Sequence, residues 1–511
     1  MAHYFCEQIK KYNCVFLLLF SFLSYAQYPS SVETVLKKAG KNRVELEKAL
    51  QYADSSKDTL KIKAMQFLIA NMDIHTSSDY YWENSSKEKV AYNELSYSDF
   101  EKATKALDEI KTANPGLYAK AYVTKDIETI TGDFLIQNLE SAFKAWNSST
   151  IENKSFENFC EYILPYRICE EPLQNWRPVY ESKYKWINEQ IPSKGFKTVL
   201  RSVRDDYDSW FINKWGEQRK EPLPKLSALQ ILFRKEGPCP DIADLGVFTM
   251  RSEGIAATIN VIPFWATSIG GHFTNTFFDE KIKPINYDYG SRIFDEKLVR
   301  EPSKVLRITY SKQPQTLASF ELADNIPPGI LKQMNYLDVT NEFWETIDVK
   351  CRLFDDKKNR PIVYATTFNG LAWRPFWWGK TNNNQTTFTS ICKNTVILPQ
   401  YYSGGKMVPA GVPVIVQDNA SIELIPDLNQ KREVTITESE KYLKFKMGIT
   451  YKLFYWSNGW QLIGTQKVNN QVVNMVFANV PRNALLLFLG SDSKKLERPF
   501  VFNNDGSRTW F

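Results

Sequence analysis

The chain has 511 residues, of which 43% are hydrophobic and 24% charged, with 22 glycines and 24 prolines; this composition excludes intrinsic disorder and collagen-like structure. At roughly 150 residues per domain, the length predicts about three to four domains. The net charge of +6 is the small difference between 64 basic and 58 acidic residues, so we expect no nucleic-acid partner bound through its phosphates.

Histidine is scarce in this sequence. His3, His75 and His272 are the three that occur. This count excludes multi-histidine metal sites. The sequence also contains no Cys-x-x-Cys pair, so we expect no structural zinc site. We therefore expect neither a metal nor another cofactor, and chemistry that needs an imidazole must use one of very few side chains.

The first 26 residues have the pattern of a secretory signal peptide. Lys10 and Lys11 precede the apolar run 15–23, and small residues fill the cleavage positions before Gln27. The run is shorter than the roughly 20 residues of a transmembrane helix, and no later stretch provides one. The sequence predicts an exported protein that is periplasmic, on the cell surface or secreted.

Five cysteines follow the signal segment. Export implies an oxidising compartment, where cysteines pair. Proximity in the sequence favours a Cys160–Cys169 and a Cys351–Cys392 pair, which leaves Cys239 as the free thiol.

The pattern of hydrophobic and turn residues changes along the remaining chain and predicts an α+β multidomain protein. Apolar residues recur near period 3.6 in the first part, which predicts a helical N-terminal region up to the charged, proline-containing segment 215–225. After residue 300, short β-rich runs alternate with turn signals, among them Asn458-Gly459, where both positions accept a positive φ. The predicted domains are a signal peptide over 1–26, a helical region over 27–215, an α/β core over 216–300, and β-sandwich domains over 301–410 and 411–511.

The segment Gly237-Pro238-Cys239-Pro240-Asp241 opens a periodic apolar stretch, which predicts Cys239 at a helix start. Pro240 suits the first turn because its missing N–H would have no partner there, and Asp241 faces the positive end of the helix dipole. The same unpaired amides stabilise a thiolate, the form that attacks a carbonyl carbon. A small buried residue in a Gly/Pro turn is the alternative interpretation.

His272 is predicted at the start of a strand and is the one histidine close to Cys239 in the sequence. A nucleophilic thiolate needs an imidazole as its proton partner and later as an acid toward the leaving amine. The next extended run carries Asn286 and Asp288, and either could hold the imidazole tautomer. We prefer Asp288, because a carboxylate stabilises an imidazolium better than an amide does. An ordinary surface or core histidine is the alternative.

This arrangement of a cysteine at a helix start, a Gly-His strand, and an Asn or Asp on the following strand resembles the transglutaminase-like core of the papain-like cysteine enzyme superfamily. More specifically, the segments 164–167, 176–177 and 237–275, together with Glu171, are similar to exported transglutaminase-like proteins of Bacteroidetes. The similarity extends into the C-terminal half at 368–370, 373–375 and 455–460.

The resemblance implies a cysteine enzyme that transfers or hydrolyses the acyl group of an amide in a protein, glycopeptide or peptidoglycan-type substrate. It implies Cys239 as the nucleophile, His272 as the base, and Asp288 or Asn286 as the orienting residue. Many members have Gly-His-x-Trp-Asn, whereas this chain has Thr274 in place of the tryptophan. A catalytically inactive scaffold that binds protein or carbohydrate at the surface or in the periplasm is therefore the alternative.

The aromatic segment 373–378 contains Trp373, Trp377 and Trp378. Flat rings of this kind stack on sugar faces, which predicts a carbohydrate contact. Burial of the rings in a sandwich core is the alternative interpretation.

Overall fold

A computed structural model describes residues 28–151, 154–214, 225–290, 292–294, 296–354, 360–417, 420–439, 443–503 and 505–511. The predicted signal peptide over 1–26 lies outside these residues. No helix within the described ranges is both long and apolar enough to cross a membrane.

The described chain forms two compact units, one within Met1–His75 and Thr124–Leu139, the other within Thr76–Val123 and Glu140–Phe511. Their helices are, in chain order, α1 (Ser30–Lys38), α2 (Arg43–Ser55), α3 (Thr59–Asn71), α4 (Phe100–Ala113), α5 (Asp126–Thr129), α6 (Gly132–Ser148), α7 (Phe156–Tyr162), α8 (Arg177–Tyr184), α9 (Trp186–Lys194), α10 (Phe196–Trp210), α11 (Ala228–Arg234), α12 (Cys239–Ser252) and α13 (Thr340–Phe343).

The first unit is helical, as predicted. Its helix α3 starts where the Asp58 carboxylate accepts hydrogen bonds from the N–H groups of Leu60 and Lys61, which satisfies amides that the helix itself leaves unpaired. Helix α3 packs against α1 and α2 through buried side chains such as Leu46 and Leu68.

Strands interrupt the region 27–215, which the sequence predicts to be helical. A three-stranded sheet has the order β2-β1-β3. Its strands are β1 (Thr76–Glu83), β2 (Lys89–Val90) and β3 (Tyr118–Lys125). Runs of tyrosine, tryptophan and valine favour strands, and here that preference prevails over the helical periodicity on which the prediction relied.

A mixed core of one sheet and one buried helix occupies the middle of the second unit. Helix α12 packs on β6 and β7 and against α8 and α11. The six-stranded sheet has the order β11-β10-β6-β7-β8-β9. The strands of this region are β4 (Ile212–Asn213), β5 (Glu236–Gly237), β6 (Ala257–Ile262), β7 (His272–Phe278), β8 (Pro284–Asp288), β9 (Ile293–Phe294), β10 (Leu306–Ile308) and β11 (Tyr336–Asp338).

The core sheet extends past residue 300, where the sequence places the end of the core. Strand β10 pairs antiparallel with β6, with Leu306 opposite Val261, and β11 pairs with β10. These strands are short, and their partners lie far away in the chain. A prediction from local sequence pattern therefore assigns them to the β-domain that follows instead of to the core.

A curved eight-stranded sheet follows the core. Its ends approach each other, since Arg352 of the first strand forms an ion pair with Glu423 of the last at 2.5 Å. Its strands are β12 (Thr346–Arg352), β13 (Ile362–Asn369), β14 (Ala372–Asn382), β15 (Gln385–Cys392), β16 (Thr395–Ser403), β17 (Lys406–Pro409), β18 (Val414–Val416) and β19 (Ser421–Glu423). The predicted boundary at 410 is wrong, because β18 and β19 complete this sheet.

The last part of the chain consists of a β20-β23 pair and a five-stranded sheet, which share one hydrophobic core. The predicted turn at Asn458-Gly459 is confirmed: both residues have positive φ, 53° and 156°, between β21 and β22. The strands are β20 (Asp427–Thr437), β21 (Thr450–Trp456), β22 (Trp460–Lys467), β23 (Asn474–Arg482), β24 (Leu486–Gly490), β25 (Phe500–Phe502) and β26 (Arg508–Trp510).

The tryptophans of segment 373–378 lie on β14 and pack against protein rather than forming an open platform. The ring of Trp373 meets that of Trp456 at a centroid distance of 5.6 Å, Trp377 is buried, and Trp378 packs against the main core. The core interpretation of this segment is therefore the one that fits.

The predicted disulfides are wrong, because all five cysteines after the signal segment are free. Cys351 on β12 lies opposite Thr386, whereas Cys392 on β15 lies opposite Thr346. This register separates the two thiols by five residues, or about 16 Å along the strands, far more than a disulfide spans.

Candidate active site

Helix α12 begins at Cys239, as predicted, with Pro240 in its first turn. The preceding turn requires glycine, because a Cβ on Gly237 would lie 2.6 Å from the Cβ of Asp241 and 2.7 Å from its Oδ2. Asp241 is buried. The residues that flank Cys239 therefore pack tightly and hold the thiol at the start of the helix.

The backbone N–H of Cys239 is available to a ligand. The N–H groups of Asp241 and Ile242 both donate to the Pro238 carbonyl oxygen, at 3.0 and 3.2 Å, and Pro240 has no N–H. Among the described residues, no group accepts a hydrogen bond from the Cys239 N–H. The first amides of a helix carry partial positive charge, so this group suits an oxygen that gains negative charge.

The side chains of Cys239, His272 and Asp288 lie together. His272 Nε2 donates a hydrogen bond to Asp288 Oδ2 at 2.8 Å, and the same imidazole hydrogen-bonds to Cys239. Because Asp288 engages Nε2, Nδ1 is the ring atom left for the thiol. All three residues are buried.

The strand arrangement explains this geometry. His272 is the first residue of β7, and Asp288 is the last residue of β8, which pairs antiparallel with β7. Asn286, the other predicted orienting residue, lies on β8 opposite Thr276. It makes no hydrogen bond to His272, and its buried Oδ1 has no partner among the described residues.

The contacts of His272 keep its ring protonated. Burial by itself lowers the pKa of His272, but the hydrogen bonds from the ring to Asp288 and Cys239, with their negative charges, outweigh burial and raise the pKa to about 9. The imidazole therefore carries a proton at neutral pH. In contrast, burial raises the pKa of Cys160, Cys169 and Cys351 to about 12, so these thiols stay protonated.

Asn369, a residue that the sequence prediction missed, fastens the loop that leads into His272. Its Nδ2 donates to the carbonyl oxygens of Trp265, Ser268 and Gly270 at 2.9–3.1 Å. Its Oδ1 accepts from the Gly270 N–H at 3.0 Å. Asn369 ends β13, so the eight-stranded sheet helps to hold the loop that leads into His272.

Arg498, also missed, contacts the same loop from the C-terminal part of the chain. Its guanidinium donates to the carbonyl oxygens of Ala266, Ser268 and Phe368, and its Nε donates to Phe511 at 2.6 Å. Asn369 lies in the similar segment 368–370, but the sequence predicts no role for it at the site and gives no signal for Arg498. Each residue lies about 100 residues or more from the loop that it contacts.

Thr274 and Asn275, which belong to the Gly-His motif, have structural partners. Asn275 Nδ2 donates to the Ala243 carbonyl oxygen on α12 at 2.8 Å, which joins helix and strand. Thr274 Oγ1 accepts from Asn260 Nδ2 at 3.1 Å inside the core. A tryptophan at this position would have to displace that buried polar pair.

The motif residues Arg177 and Glu171, outside the site, also have structural partners. The Arg177 guanidinium donates to the carbonyl oxygens of Ile163 and Arg251, the latter near the end of α12. The Glu171 carboxylate accepts from the N–H groups of Ile168 and Cys169. Arg177 therefore ties the end of the helix that begins at Cys239 to the segment at Ile163, whereas Glu171 closes the turn 168–171.

The comparisons with known proteins do not identify a family. No protein-family model matches the chain, and no curated protein matches it.

Proposed function

We propose that this protein is an exported, transglutaminase-like cysteine enzyme that acts on amide bonds of a protein, glycopeptide or peptidoglycan-type substrate. The observation that carries the proposal is the hydrogen-bonded series Cys239, His272 and Asp288 at the start of a buried helix. In this proposal Cys239 is the nucleophile, His272 is its proton partner, and Asp288 orients the imidazole.

In the first step, the Cys239 thiolate attacks the carbonyl carbon of the amide. The sulfur–carbon bond forms, and the π electrons of the carbonyl move to its oxygen, which the free N–H of Cys239 stabilises. His272 is protonated before the attack. Its positive charge stabilises the thiolate, and Asp288 in turn stabilises that charge.

In the second step, the carbonyl re-forms and the carbon–nitrogen bond breaks. His272 gives its proton to the departing nitrogen, and the acyl group remains on Cys239 as a thioester. Neutral His272 then takes a proton from water or from an acceptor amine as that molecule attacks the thioester. Hydrolysis or acyl transfer results, and the thiolate and imidazolium return.

Thiol labelling tests the proposal. We expect iodoacetamide at about pH 6 to alkylate Cys239 at least about tenfold faster than the other cysteines, because alkylation requires a thiolate. His272→Gln should abolish this selectivity, whereas the matched variant His75→Gln, in the first unit, should retain it. Peptide mass spectrometry identifies the labelled residue.

Equally slow labelling of every thiol would contradict an enzyme and favour the inactive scaffold. When Cys239 does label selectively, release of amine from glutamine-containing protein, peptide amides and peptidoglycan fragments separates the substrate classes. Cys239→Ser should remove that release, since a hydroxyl is not ionised by an imidazole at this pH.

A further inference from the structure

A cavity of about 1220 Å³ lies in the second unit, where β18 and β19 of the eight-stranded sheet and strands of the C-terminal part line it. Large apolar side chains form much of the lining. Three of them, Ile422, Leu496 and Trp510, are 43%, 58% and 43% exposed. Exposed apolar side chains that converge on one cavity are typical of a binding surface. The cavity therefore suits a ligand with an apolar body.

Two arginines add positive charge to the same lining. Arg432 lies on β20 opposite Val480 of the neighbouring strand β23, and Arg482 follows two residues later on β23. Side chains at alternate positions of a strand share one face of the sheet, and diagonal neighbours on that face lie roughly 7–8 Å apart. The two guanidinium groups therefore face the same cavity from adjacent strands.

No carboxylate balances the charge of Arg432 among the described residues. Its guanidinium donates to the carbonyl oxygens of Phe502 at 2.9 Å and Asn503 at 3.5 Å, and its buried Nε has no acceptor there. Burial and the like charge of Arg482 both lower the pKa of Arg432. A half-buried cation beside a second cation destabilises the folded protein, so an anionic ligand explains the pair better than packing does.

The other charged side chains of the lining are engaged elsewhere. Arg498 donates to backbone carbonyl oxygens, among them that of Phe511 at 2.6 Å. The carboxylates of Glu301 and Glu497 each accept a hydrogen bond from a hydroxyl group at 2.6 Å. This leaves the arginines of β20 and β23 as the pair that can receive an anion.

We propose that this cavity binds a small amphipathic anion, an alkyl chain that ends in a carboxylate, with the carboxylate on Arg432 and Arg482 and the chain along the apolar lining. Guanidinium groups bind a carboxylate through paired N–H···O bonds, and burial of each CH₂ group of the chain adds to the affinity. Cys239, His272 and Asp288 do not line the cavity, so the proposal is independent of the chemistry of the thiol.

Isothermal titration calorimetry with decanoate tests the site. We expect saturable binding of one decanoate per chain. Decylammonium has a chain of similar length and the opposite charge, so it should bind at least about tenfold more weakly. Hexanoate keeps the carboxylate but has a shorter chain, and it should bind more weakly by up to roughly fourfold for each CH₂ group that it lacks.

Substitutions separate the two parts of the site. Arg482→Gln, at an exposed position, should leave the fold intact and weaken decanoate binding at least about tenfold. Ile422→Ser removes part of the apolar lining and should weaken it several-fold. The control Lys452→Gln removes a charge from an exposed position of β21 outside the cavity, so it should bind decanoate as the wild type does.

Three results would overturn the proposal. The first is equal affinity for decanoate and decylammonium, which would show that the arginines do not select an anion. The second is wild-type affinity in Arg482→Gln. The third is the absence of saturable decanoate binding below about 5 mM, because so weak an interaction would not fill the site.

Discussion

The indole of Trp265 stacks on the imidazole of His272, with ring centroids 5.6 Å apart and ring planes inclined by 28°. Trp265 is buried and contributes to a small hydrophobic cluster at the edge of the core sheet. An aromatic face attracts a cation, so this contact adds to those that keep His272 protonated, and it also restricts rotation of the ring.

Replacement of Trp265 should therefore change the titration of His272. We expect Trp265→Leu to lower the pKa of the imidazole by about 0.5–1 unit through loss of the cation–π contact, and Trp265→Phe to lower it less. The histidine Cε1 resonance in NMR spectra follows the titration. Trp344→Leu, in the same hydrophobic cluster, is the control and should weaken packing without moving this pKa.

The raised pKa of His272 predicts a pH dependence of stability. The folded-state value of about 9 lies above the unfolded value of about 6.5, so the stabilisation is complete below about pH 6.5 and is lost as pH rises toward 9. Between these values, the free energy of unfolding should fall by on the order of 3 kcal/mol more in the wild type than in His272→Gln. Urea unfolding at the two pH values measures the difference.

Asp288→Asn should remove much of this dependence and also lower reactivity. An amide keeps the shape but lacks the charge, while burial continues to lower the pKa of His272. The ring then loses its proton near neutral pH, and iodoacetamide should alkylate Cys239 at least about tenfold more slowly. Asn286→Ala is the comparison, because the Asn286 side chain forms no hydrogen bond to the ring among the described residues. If Asn286→Ala slows alkylation and Asp288→Asn does not, the orienting residue is Asn286.

Asn369→Ala should uncouple the His272 loop from the eight-stranded sheet. It removes four hydrogen bonds to the backbone of that loop, so we expect a loss of about 2–3 kcal/mol in the free energy of unfolding. Alkylation of Cys239 should slow as well, because the loop no longer holds His272 in place. Asn325→Ala, at an exposed position of the same unit, should change neither quantity. Full reactivity of a folded Asn369→Ala protein would show that the loop needs no such anchor.

Two glycines near the site should respond differently to alanine. At Gly237 a methyl group would collide with the Asp241 side chain, so Gly237→Ala should lower thermal stability and disturb the start of α12. At Gly290 the nearest atoms would be at 3.5–3.8 Å, an ordinary contact. Gly290→Ala should fold normally, but its methyl group would narrow the space beside the His272 ring. Acylation of Cys239 by bulky acyl donors should therefore slow more than acylation by p-nitrophenyl acetate. Equal stability of the two variants would contradict this difference.

Short-range sequence features predicted those parts of the site that depend on neighbouring residues in the chain. The prolines and glycine around Cys239 predict a helix start, and Gly271 predicts the start of the strand whose first residue is His272. The choice between Asp288 and Asn286 depends instead on the register between β7 and β8. The turn between them is closed by Asp279, whose carboxylate accepts the N–H of residues 281 and 283.

Long-range contacts account for what the sequence did not predict. The α+β, multidomain character follows from periodicity and turns, and the structure confirms it. The attachment of β10 to the core, the completion of the eight-stranded sheet after residue 410, and the anchors Asn369 and Arg498 all join residues far apart in the chain. No local propensity distinguishes these residues from ordinary strand or turn residues.

The long-range contact of Arg498 with the loop before His272 affects when Cys239 can become reactive during biosynthesis. Arg498 contacts a loop residue 230 positions earlier, and the ribosome makes the chain from the N-terminus. Cys239 and His272 therefore leave the ribosome well before the side chain that fastens their loop. We expect Cys239 of the nascent chain to react no faster than an ordinary thiol until synthesis passes Arg498, because the loop that leads into His272 is not yet fastened.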